Sequence, residues 1–172
     1  MKNKFIYYLV LFTMIWSSEP NYSIRDLSGT AKIDLLYSNI YETSLVSKVT
    51  DYALLSLDAT GTKYKVSIDN GTSILDVGNP DLPKLSTSII IPDEGDMELR
   101  IVSSSFIEFH NVNIAPSKGN ITRDINPDTV PFTYSQKYKE NDFYPGNLAE
   151  LDNSFILRDL RGQSVIFYPV QY

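Results

Sequence analysis

Apolar and polar residues alternate with period two along most of this chain, in short stretches that end at turn residues. Such alternation places successive side chains on opposite faces of a β-strand, so that one face can be buried while the other is solvated. Turn signals recur about every 8 to 12 positions, and no long capped helix is apparent. The pattern predicts an all-β fold, an antiparallel β-sandwich or a jelly-roll-like domain. The alternating stretches are TAKIDLLYS (30–38), KYKVSID (63–69), TSIIIP (87–92), MELRIVSSSFIEF (97–109) and SVIFYPVQY (164–172).

Turn and breaker residues indicate how these stretches are connected. Asn70-Gly71 follows KYKVSID and is a hairpin signal, because both residue types tolerate positive φ. PDEGD (92–96) is a further turn. DVGNPDLPKLS (76–86) contains two prolines and a glycine, so we expect a connection that lies outside any central strand. Residues 42–57 fit either a short helix or a strand, and their β-branched content favours strand.

Composition excludes several classes of function. The 172 residues, 42% of them hydrophobic, suit one globular domain with a sizeable core. A net charge of -6 repels phosphate backbones and anionic lipid surfaces, so nucleic acid is not an expected partner. The chain contains no cysteine, which excludes disulfides, a cysteine peptidase centre and a thiolate metal site.

Other catalytic and metal-binding groups are also scarce. His110 is the only histidine, so a two-histidine metal motif is impossible and a Ser-His-Asp triad would have to use this residue. It lies in FIEFHNV, whose alternation predicts a strand residue. The carboxylates of PDEGDMELR lack the regular spacing of a calcium loop. We therefore expect no metal, no cofactor and no catalytic centre in this chain.

The N-terminus is typical of an export signal. Two lysines precede the apolar run FIYYLVLFTMIW (5–16), and two serines follow it. The run is shorter than the about 20 residues that span a bilayer, so we expect no stable membrane anchor. We predict a signal peptide at residues 1–17, a mature domain at 18–172, and export to the periplasm and then to the outer surface or the medium. An uncleaved amphipathic anchor is the alternative interpretation.

A long loop is predicted within residues 115–150, since Pro116 to Pro145 has loop character throughout. A connection of this length inside a compact domain is unusual and tends to be functional. It begins with NIAPSKGNITRDINPDTVPFTY (113–134), which contains three prolines and a single arginine, Arg123. From the residues alone we expect a binding module that presents this loop, with Arg123 as a solvent-exposed charge.

Five motifs follow one another from Gly78 onward: GNPDLPKLS (78–86), IAPSKG (114–119), NPD with VP (126–131), FYPG (143–146) and FILRDLRGQ (155–163). In their order and approximate spacing they resemble the N-terminal propeptide of the gingipains, the secreted cysteine peptidases of Bacteroidetes bacteria. The clear resemblance covers residues 78–172, whereas residues 20–77 match only in their strand-like character.

The resemblance implies a β-sandwich prodomain that keeps an arginine-specific gingipain-like peptidase latent, as a noncovalent active-site inhibitor, and assists its folding. In that family a prodomain loop presents an arginine to the primary specificity pocket. The corresponding residue after APSKG is Arg123. Asp124 is expected to slow cleavage of the loop, and Pro116, Gly119 and Pro127 are expected to shape it.

The remaining motifs have mainly structural interpretations. Phe143 and Tyr144 are expected to form a turn with a packed aromatic ring or, if they are exposed, an interface anchor. A charge network that fixes a turn, or a contact with the peptidase, is expected of Arg158, Asp159 and Arg161, with Gly162 supplying an unusual backbone angle.

Gingipain precursors continue beyond these motifs with further prodomain strands and with a catalytic domain that carries Cys and His. Three origins stay open for the present chain: a fragment of a longer precursor, a truncated gene product and a free-standing inhibitor. Without closing strands, SVIFYPVQY would be an unprotected edge that is prone to association. The alternative function is a secreted or cell-surface β-sandwich binding module without inhibitory activity.

Overall fold

The computed structural model describes residues 26–58 and 60–172, so the predicted signal peptide at 1–17 lies outside the described residues. The described chain forms strands and two short 3-10 helices but no α-helix, which confirms the all-β prediction. The strands are β1 (Ala31–Ser38), β2 (Thr43–Val49), β3 (Ala53–Ser56), β4 (Tyr64–Ser67), β5 (Thr72–Ser73), β6 (Pro83–Ile90), β7 (Ala149–Leu157) and β8 (Leu160–Phe167), and the 3-10 helices are Pro127–Thr129 and Gln136–Lys139.

Antiparallel pairing joins these strands into three sheets. β1 pairs with β2 and β3 pairs with β4, each as a two-stranded sheet. The other four strands form one sheet in the order β5-β6-β8-β7. Residues 42–57, for which helix and strand were both open, contain β2 and β3, so strand was the correct interpretation.

One face of the four-stranded sheet is buried. Its register pairs Leu85 with Phe167 and Thr87 with Val165, so these side chains share a face. On that face Leu85 belongs to a buried cluster that also contains residues of β1 and β2, so the β1–β2 sheet packs against β6 there. The cluster consists of Ala31, Val49, Ile68 and Leu85, with Ile33, Tyr52 and Phe167 packed around it.

A second core lies between the β3–β4 sheet and segments that form no strand. Its buried members are Val66 in β4, Leu82 just before β6, and Ile114. Partly buried residues pack around them: Tyr52, Leu54, Tyr64, Ile74, Val112, Tyr144 and Val170. Because Leu82 lies just before β6 and Ile114 just before the predicted long loop, this core fixes the point from which the loop begins.

The strand predicted at MELRIVSSSFIEF (97–109) is wrong. These residues belong to none of the strands in the described chain, and their large side chains are mostly exposed: Leu99, Val102, Phe106, Ile107 and Phe109. The alternation was suitable for a strand, but a strand also needs a neighbouring edge to pair with. The segment is instead packed through side chains at its end, where the rings of Phe109 and Tyr52 meet edge to face with centroids 5.3 Å apart.

The hairpin predicted at Asn70-Gly71 is also wrong, although the chain does turn there. Gly71 N donates to Ile68 O at 3.2 Å, and Asn70 has a positive φ of 54°. After this turn the chain enters a different sheet, because β4 pairs with β3 whereas β5 pairs with the start of β6. The turn residues predicted the reversal, but contacts distant in sequence decide which strand pairs next.

The connection predicted at 76–86 is shorter than expected. Residues 76–82 form no strand, but β6 begins at Pro83 and lies between β5 and β8. Proline is tolerated at the first position of a strand, because the ladder loses little when that N–H is absent.

SVIFYPVQY (164–172) is not the unprotected edge that we expected. Its first residues belong to β8, which lies between β6 and β7. Its last residue pairs with Tyr144, since Tyr144 N donates to Tyr172 O at 2.9 Å and Tyr172 N donates to Tyr144 O at 2.8 Å. The edges of this sheet are β5 and β7.

Replacing Leu82 by alanine tests the second core. Leu82 is 1% exposed, so Leu82→Ala should lower the free energy of unfolding by about 2–5 kcal/mol through lost burial and a residual cavity. Leu157 is 66% exposed, and the matched Leu157→Ala should cost less than about 0.5 kcal/mol. Urea unfolding of the parent and both variants measures the two losses. Equal losses would contradict the burial of Leu82.

Candidate functional site

The long loop begins where residues 113–117 cross the connection that precedes β6. Pro80 and Pro116 form a bridge at this crossing, and both are fully buried. Three backbone hydrogen bonds join the segments: Gly78 N to Ser117 O (2.9 Å), Ser117 N to Asn79 O (2.7 Å) and Asp81 N to Ala115 O (2.9 Å). The two prolines fit here because proline has no N–H that burial could leave unpaired. The motifs GNPDLPKLS and IAPSKG, far apart in the sequence, are thus in direct contact.

The β3–β4 sheet holds the crossing from a second side. Tyr64 N donates to Asn113 O at 3.0 Å, and Ala115 N donates to Tyr64 O at 2.8 Å. An ion pair of 2.9 Å between Lys65 Nζ and Asp81 Oδ2 ties β4 to the connection itself. The start of the loop is therefore fixed both by the β3–β4 sheet and by the connection that leads into β6.

The loop returns to the same connection at Ser135. Ser135 N donates to Gly78 O at 2.9 Å, and its hydroxyl donates to the side-chain oxygen of Asn79. Shortly afterwards the Tyr138 hydroxyl donates to Ile114 O at 2.9 Å, and burial raises the pKa of Tyr138 above its usual range. The segment from 118 to 134 is therefore an Ω-like loop, whose two ends are held by one base.

Arg123 and Asp124 lie at the tip of this loop. They are the central residues of a turn in which Ile125 N donates to Thr122 O at 3.1 Å, and both are exposed. Among the described residues, no hydrogen bond or ion pair engages the Arg123 side chain. The Thr122 hydroxyl holds the pKa of the Asp124 carboxyl below its ordinary value, so this group stays ionised at neutral pH. The tip therefore presents a guanidinium, without a partner in the described part of the chain, next to an ionised carboxylate.

The three residues expected to shape the loop lie at separate points along it. Pro116 is at the buried crossing. Gly119 has φ 77°, and a Cβ atom there would lie 2.5 Å from Val77 Cγ2. Pro127 is the first residue of a 3-10 helix that Asn126 caps by accepting from Asp128 N at 3.0 Å. Proline suits this position because its φ is already set for the helix.

Phe143 and Tyr144 have different environments. Phe143 is 63% exposed. Tyr144 packs on the second core, and its hydroxyl donates to Asp76 Oδ2 at 3.2 Å. Burial, followed by the negative charge of Asp76, raises the pKa of Tyr144 to about 12. Tyr144 is thus a packed aromatic, whereas the Phe143 ring is accessible to a partner.

The charge network expected of Arg158, Asp159 and Arg161 does not form. None of the ion pairs within residues 26–58 and 60–172 includes these side chains. Arg158 and Asp159 are the exposed residues that connect β7 to β8. Arg161 Nη1 instead donates to three backbone oxygens, those of Pro92 (3.3 Å), Asp93 (3.1 Å) and Gly95 (2.9 Å). Arg161 therefore holds the turn that follows β6.

Gly162 also differs from the expectation, because its φ is not among the positive values in the described chain. Its partner across the strands is Phe155. A Cβ atom at position 162 would lie 2.5 Å from Phe155 Cζ. The glycine leaves room for the aromatic ring, which would have to shift if a Cβ atom were present.

The described residues contain no group of three or more His, Cys, Asp or Glu side chains that could hold a metal ion. His110 is exposed, with Nδ1 3.8 Å from Glu108 Oε1, and is not the strand residue that we predicted. Within the same residues, no helix has the length and apolar character needed to cross a bilayer.

Sequence reasoning missed the polar residues that hold the loop base. Asn79, Ser117 and Ser135 make the contacts described above, and Ser117 is only 3% exposed. Each stands in a stretch rich in glycine, proline or polar residues, where solvated turn residues are expected. No local signal distinguishes a buried serine of this kind from an exposed one.

Gly119→Ala tests the tight contact at the start of the loop. Gly119 (φ 77°) and Gly29 (φ 75°) have nearly the same backbone angle, so alanine at either position meets a left-handed penalty of about 1–2 kcal/mol. A new Cβ would meet Val77 at position 119 but has nothing within 4 Å at position 29. We expect Gly119→Ala to lower the free energy of unfolding by about 1 kcal/mol more than Gly29→Ala. Equal values in urea unfolding would contradict the close approach to Val77.

Comparison with known proteins assigns the family. The Propeptide_C25 family model matches residues 34–172, from within β1 to the last residue. The chain belongs to the C25 propeptide family. The matched region contains the whole loop and both segments of its base.

Two curated relatives come from Porphyromonas gingivalis. Gingipain R1 is 49% identical over 102 residues, which are 59% of this chain and 10% of that protein. Gingipain R2 is 50% identical over 102 residues, 59% of this chain and 14% of that protein. The matched region is thus a small part of each relative.

Two solved structures share the fold. The complex of the Porphyromonas gingivalis RgpB pro- and mature domains matches with a TM-score of 0.71 and 37% identity, over 81% of this chain and 74% of the other. A structure concerned with the zymogenic latency of gingipain K from the same organism matches with a TM-score of 0.65 and 21% identity, over 84% of each chain, and shows the fold alone. The resemblance to gingipain propeptides and the all-β prodomain fold are therefore confirmed.

Proposed function

We propose that this chain is a noncovalent active-site inhibitor and folding assistant of a gingipain-like, arginine-specific cysteine peptidase, and that Arg123 occupies the primary specificity pocket. The observation that carries the proposal is the exposed Arg123, whose side chain has no hydrogen bond or ion pair within the described residues, at the tip of a loop with both ends fixed. The similarity to an RgpB prodomain that forms a complex with its mature domain supports a peptidase catalytic domain as the partner. The chain itself is the pro-region and has no peptidase activity of its own.

The chemistry of the tip suits an acidic pocket. A guanidinium is planar, stays charged at any relevant pH and pairs with a carboxylate through two parallel hydrogen bonds. The turn between Thr122 and Ile125 already orders the backbone around Arg123, so less conformational entropy is lost when the loop binds. Phe143 is a candidate for a second contact, because aromatic rings are enriched among the residues that dominate binding energy.

Export of the chain is part of the proposal. The positive and apolar residues at 1–17 support a signal peptide. The chain would then meet its peptidase in the periplasm, and later at the outer surface or in the medium.

Inhibition assays test the role of Arg123. The purified chain should inhibit hydrolysis of an arginyl substrate by an arginine-specific gingipain catalytic domain. Arg123→Ala should raise the inhibition constant at least tenfold, because loss of a buried charged anchor costs about 2–5 kcal/mol. The inhibition constant of Arg123→Lys should lie between those of the parent chain and Arg123→Ala, since an ammonium cannot form the bidentate pair.

The matched control is Arg100→Ala, which removes an exposed arginine from the segment 97–111 and should leave the inhibition constant unchanged. Inhibition that survives Arg123→Ala would place the contact elsewhere on the molecule. A chain that unfolds cooperatively but does not inhibit would favour a binding module without inhibitory activity.

A second variant tests why the loop is not cleaved as a substrate. Asp124 places an ionised carboxylate beside the bond after Arg123, where it repels the negative charge that develops on the carbonyl oxygen when this bond is attacked. Asp124→Asn should therefore speed cleavage after Arg123, as followed by mass spectrometry of the products. Asp128→Asn, an exposed change in the same loop, should have little effect. Rapid cleavage of the parent chain after Arg123 would refute a protective Asp124.

A further inference from the structure

The loop cannot be held in shape by a core of its own, because no residue from 119 to 131 is buried. Its backbone bonds are local, such as Ile125 N to Thr122 O (3.1 Å) and Val130 N to Pro127 O (3.2 Å). Local bonds of this kind close each turn, but they do not set the distance between the tip and the base, and turns in an exposed loop open readily when nothing holds the loop together. A contact across the loop would supply that constraint.

Lys118 makes this contact. Its Nζ atom lies 4.4 Å from the centroid of the Phe132 ring and donates to Pro127 O at 2.7 Å. Lys118 immediately follows the buried crossing, Phe132 precedes the return at Ser135, and Pro127 lies between them. One ammonium therefore joins the start, the middle and the end of the loop.

A second cation lies at the same ring. Lys63 Nζ is 5.2 Å from the Phe132 centroid. The backbone of Lys63 is placed by Asp58, whose Oδ1 atom accepts from Thr62 N at 2.8 Å and from Lys63 N at 3.4 Å. The electron-rich face of an aromatic ring attracts cations, so Lys63 and Lys118 both favour the observed position of Phe132.

We propose that Lys118 is the positioning residue of this loop, and that its contacts with Phe132 and Pro127 set where Arg123 stands relative to the base. We call these three residues the loop clamp. The role that this inference gives to Arg123 rests on the proposed function. The clamp itself does not, because it can be tested in the isolated chain. Loss of the clamp should make the loop less ordered, but it removes no residue that would contact the specificity pocket.

Amide hydrogen exchange tests the clamp without a partner. Lys118→Met keeps an apolar stem of similar length but removes the ammonium. We expect exchange at the Ile125 and Val130 amides to become about three- to tenfold faster, as expected for loss of an exposed cation–π contact together with a hydrogen bond. Lys118→Arg should restore the parent rates, because a guanidinium also stacks on aromatic rings and donates hydrogen bonds. Lys139→Met, an exposed change outside the clamp, should match the parent.

Thermal unfolding gives the matching control on stability, and we expect the midpoint of Lys118→Met to stay within about 2 °C of the parent. Unchanged exchange in Lys118→Met would overturn the proposal. So would an equal acceleration by Lys139→Met, because the effect would then follow net charge and not the clamp.

A double-mutant cycle measures how much the Phe132 ring contributes to the clamp. Phe132→Leu removes the aromatic face but leaves Pro127 O available to Lys118. If the cation–π contact contributes, Lys118→Met should accelerate exchange less in the Phe132→Leu background than in the parent. An equal acceleration in both backgrounds would remove Phe132 from the clamp.

Inhibition assays then connect the clamp to Arg123. Lys118→Met should weaken inhibition of the gingipain catalytic domain about three- to tenfold in the parent background. The same substitution should have no further effect in Arg123→Ala. If the parent chain does not inhibit, the proposed function fails while the exchange result still decides the clamp. If inhibition depends on Arg123 but not on Lys118, the clamp proposal fails alone.

Discussion

The buried crossing of residues 78–81 and 113–117 is the contact on which the rest of the site depends. Its backbone groups are removed from water, so each must find a partner, and three direct hydrogen bonds provide partners where the sheets do not reach. The crossing also brings Leu82 and Ile114 together in the second core. A single feature thereby connects β4, the entry into β6 and both ends of the loop.

The molecule separates the groups that provide stability from those available for binding. Apolar burial is concentrated in two clusters between the sheets and around the crossing. The loop from 118 to 134 buries almost nothing and is ordered by turns, a capped 3-10 helix and the loop clamp. A rigid scaffold that carries an exposed, polar loop is the usual arrangement for recognition. The role of each residue in the site therefore becomes clear only from the residues that surround it in the fold.

Charge gives the tip its chemical character. The chain has a net charge of -6, yet the most prominent side chain of the loop is an arginine without an ion pair in the described structure. Elsewhere, lysines and arginines have local tasks: Lys65 pairs with Asp81, and Arg161 holds the turn after β6. A guanidinium left without a partner keeps its pairing capacity for another molecule, which is the property that an acidic specificity pocket would use.

The sequence by itself determined the β class, the position of the long loop and the family. It did so through period-two alternation, proline-rich turn segments and the order of the motifs, which are all local properties of the chain. The family resemblance also nominates Arg123, by its place after APSKG, as the residue for the specificity pocket, which stays a prediction. Only the tertiary structure decided which strands pair, since the Asn70-Gly71 turn leads into a different sheet and residues 97–109 find no edge. The roles of Arg161, Gly162 and Lys118 likewise depend on partners distant in sequence, namely a turn, an aromatic ring and the far side of the loop. Pairing and packing are cooperative contacts between remote segments, and no local pattern encodes which remote surface will be available.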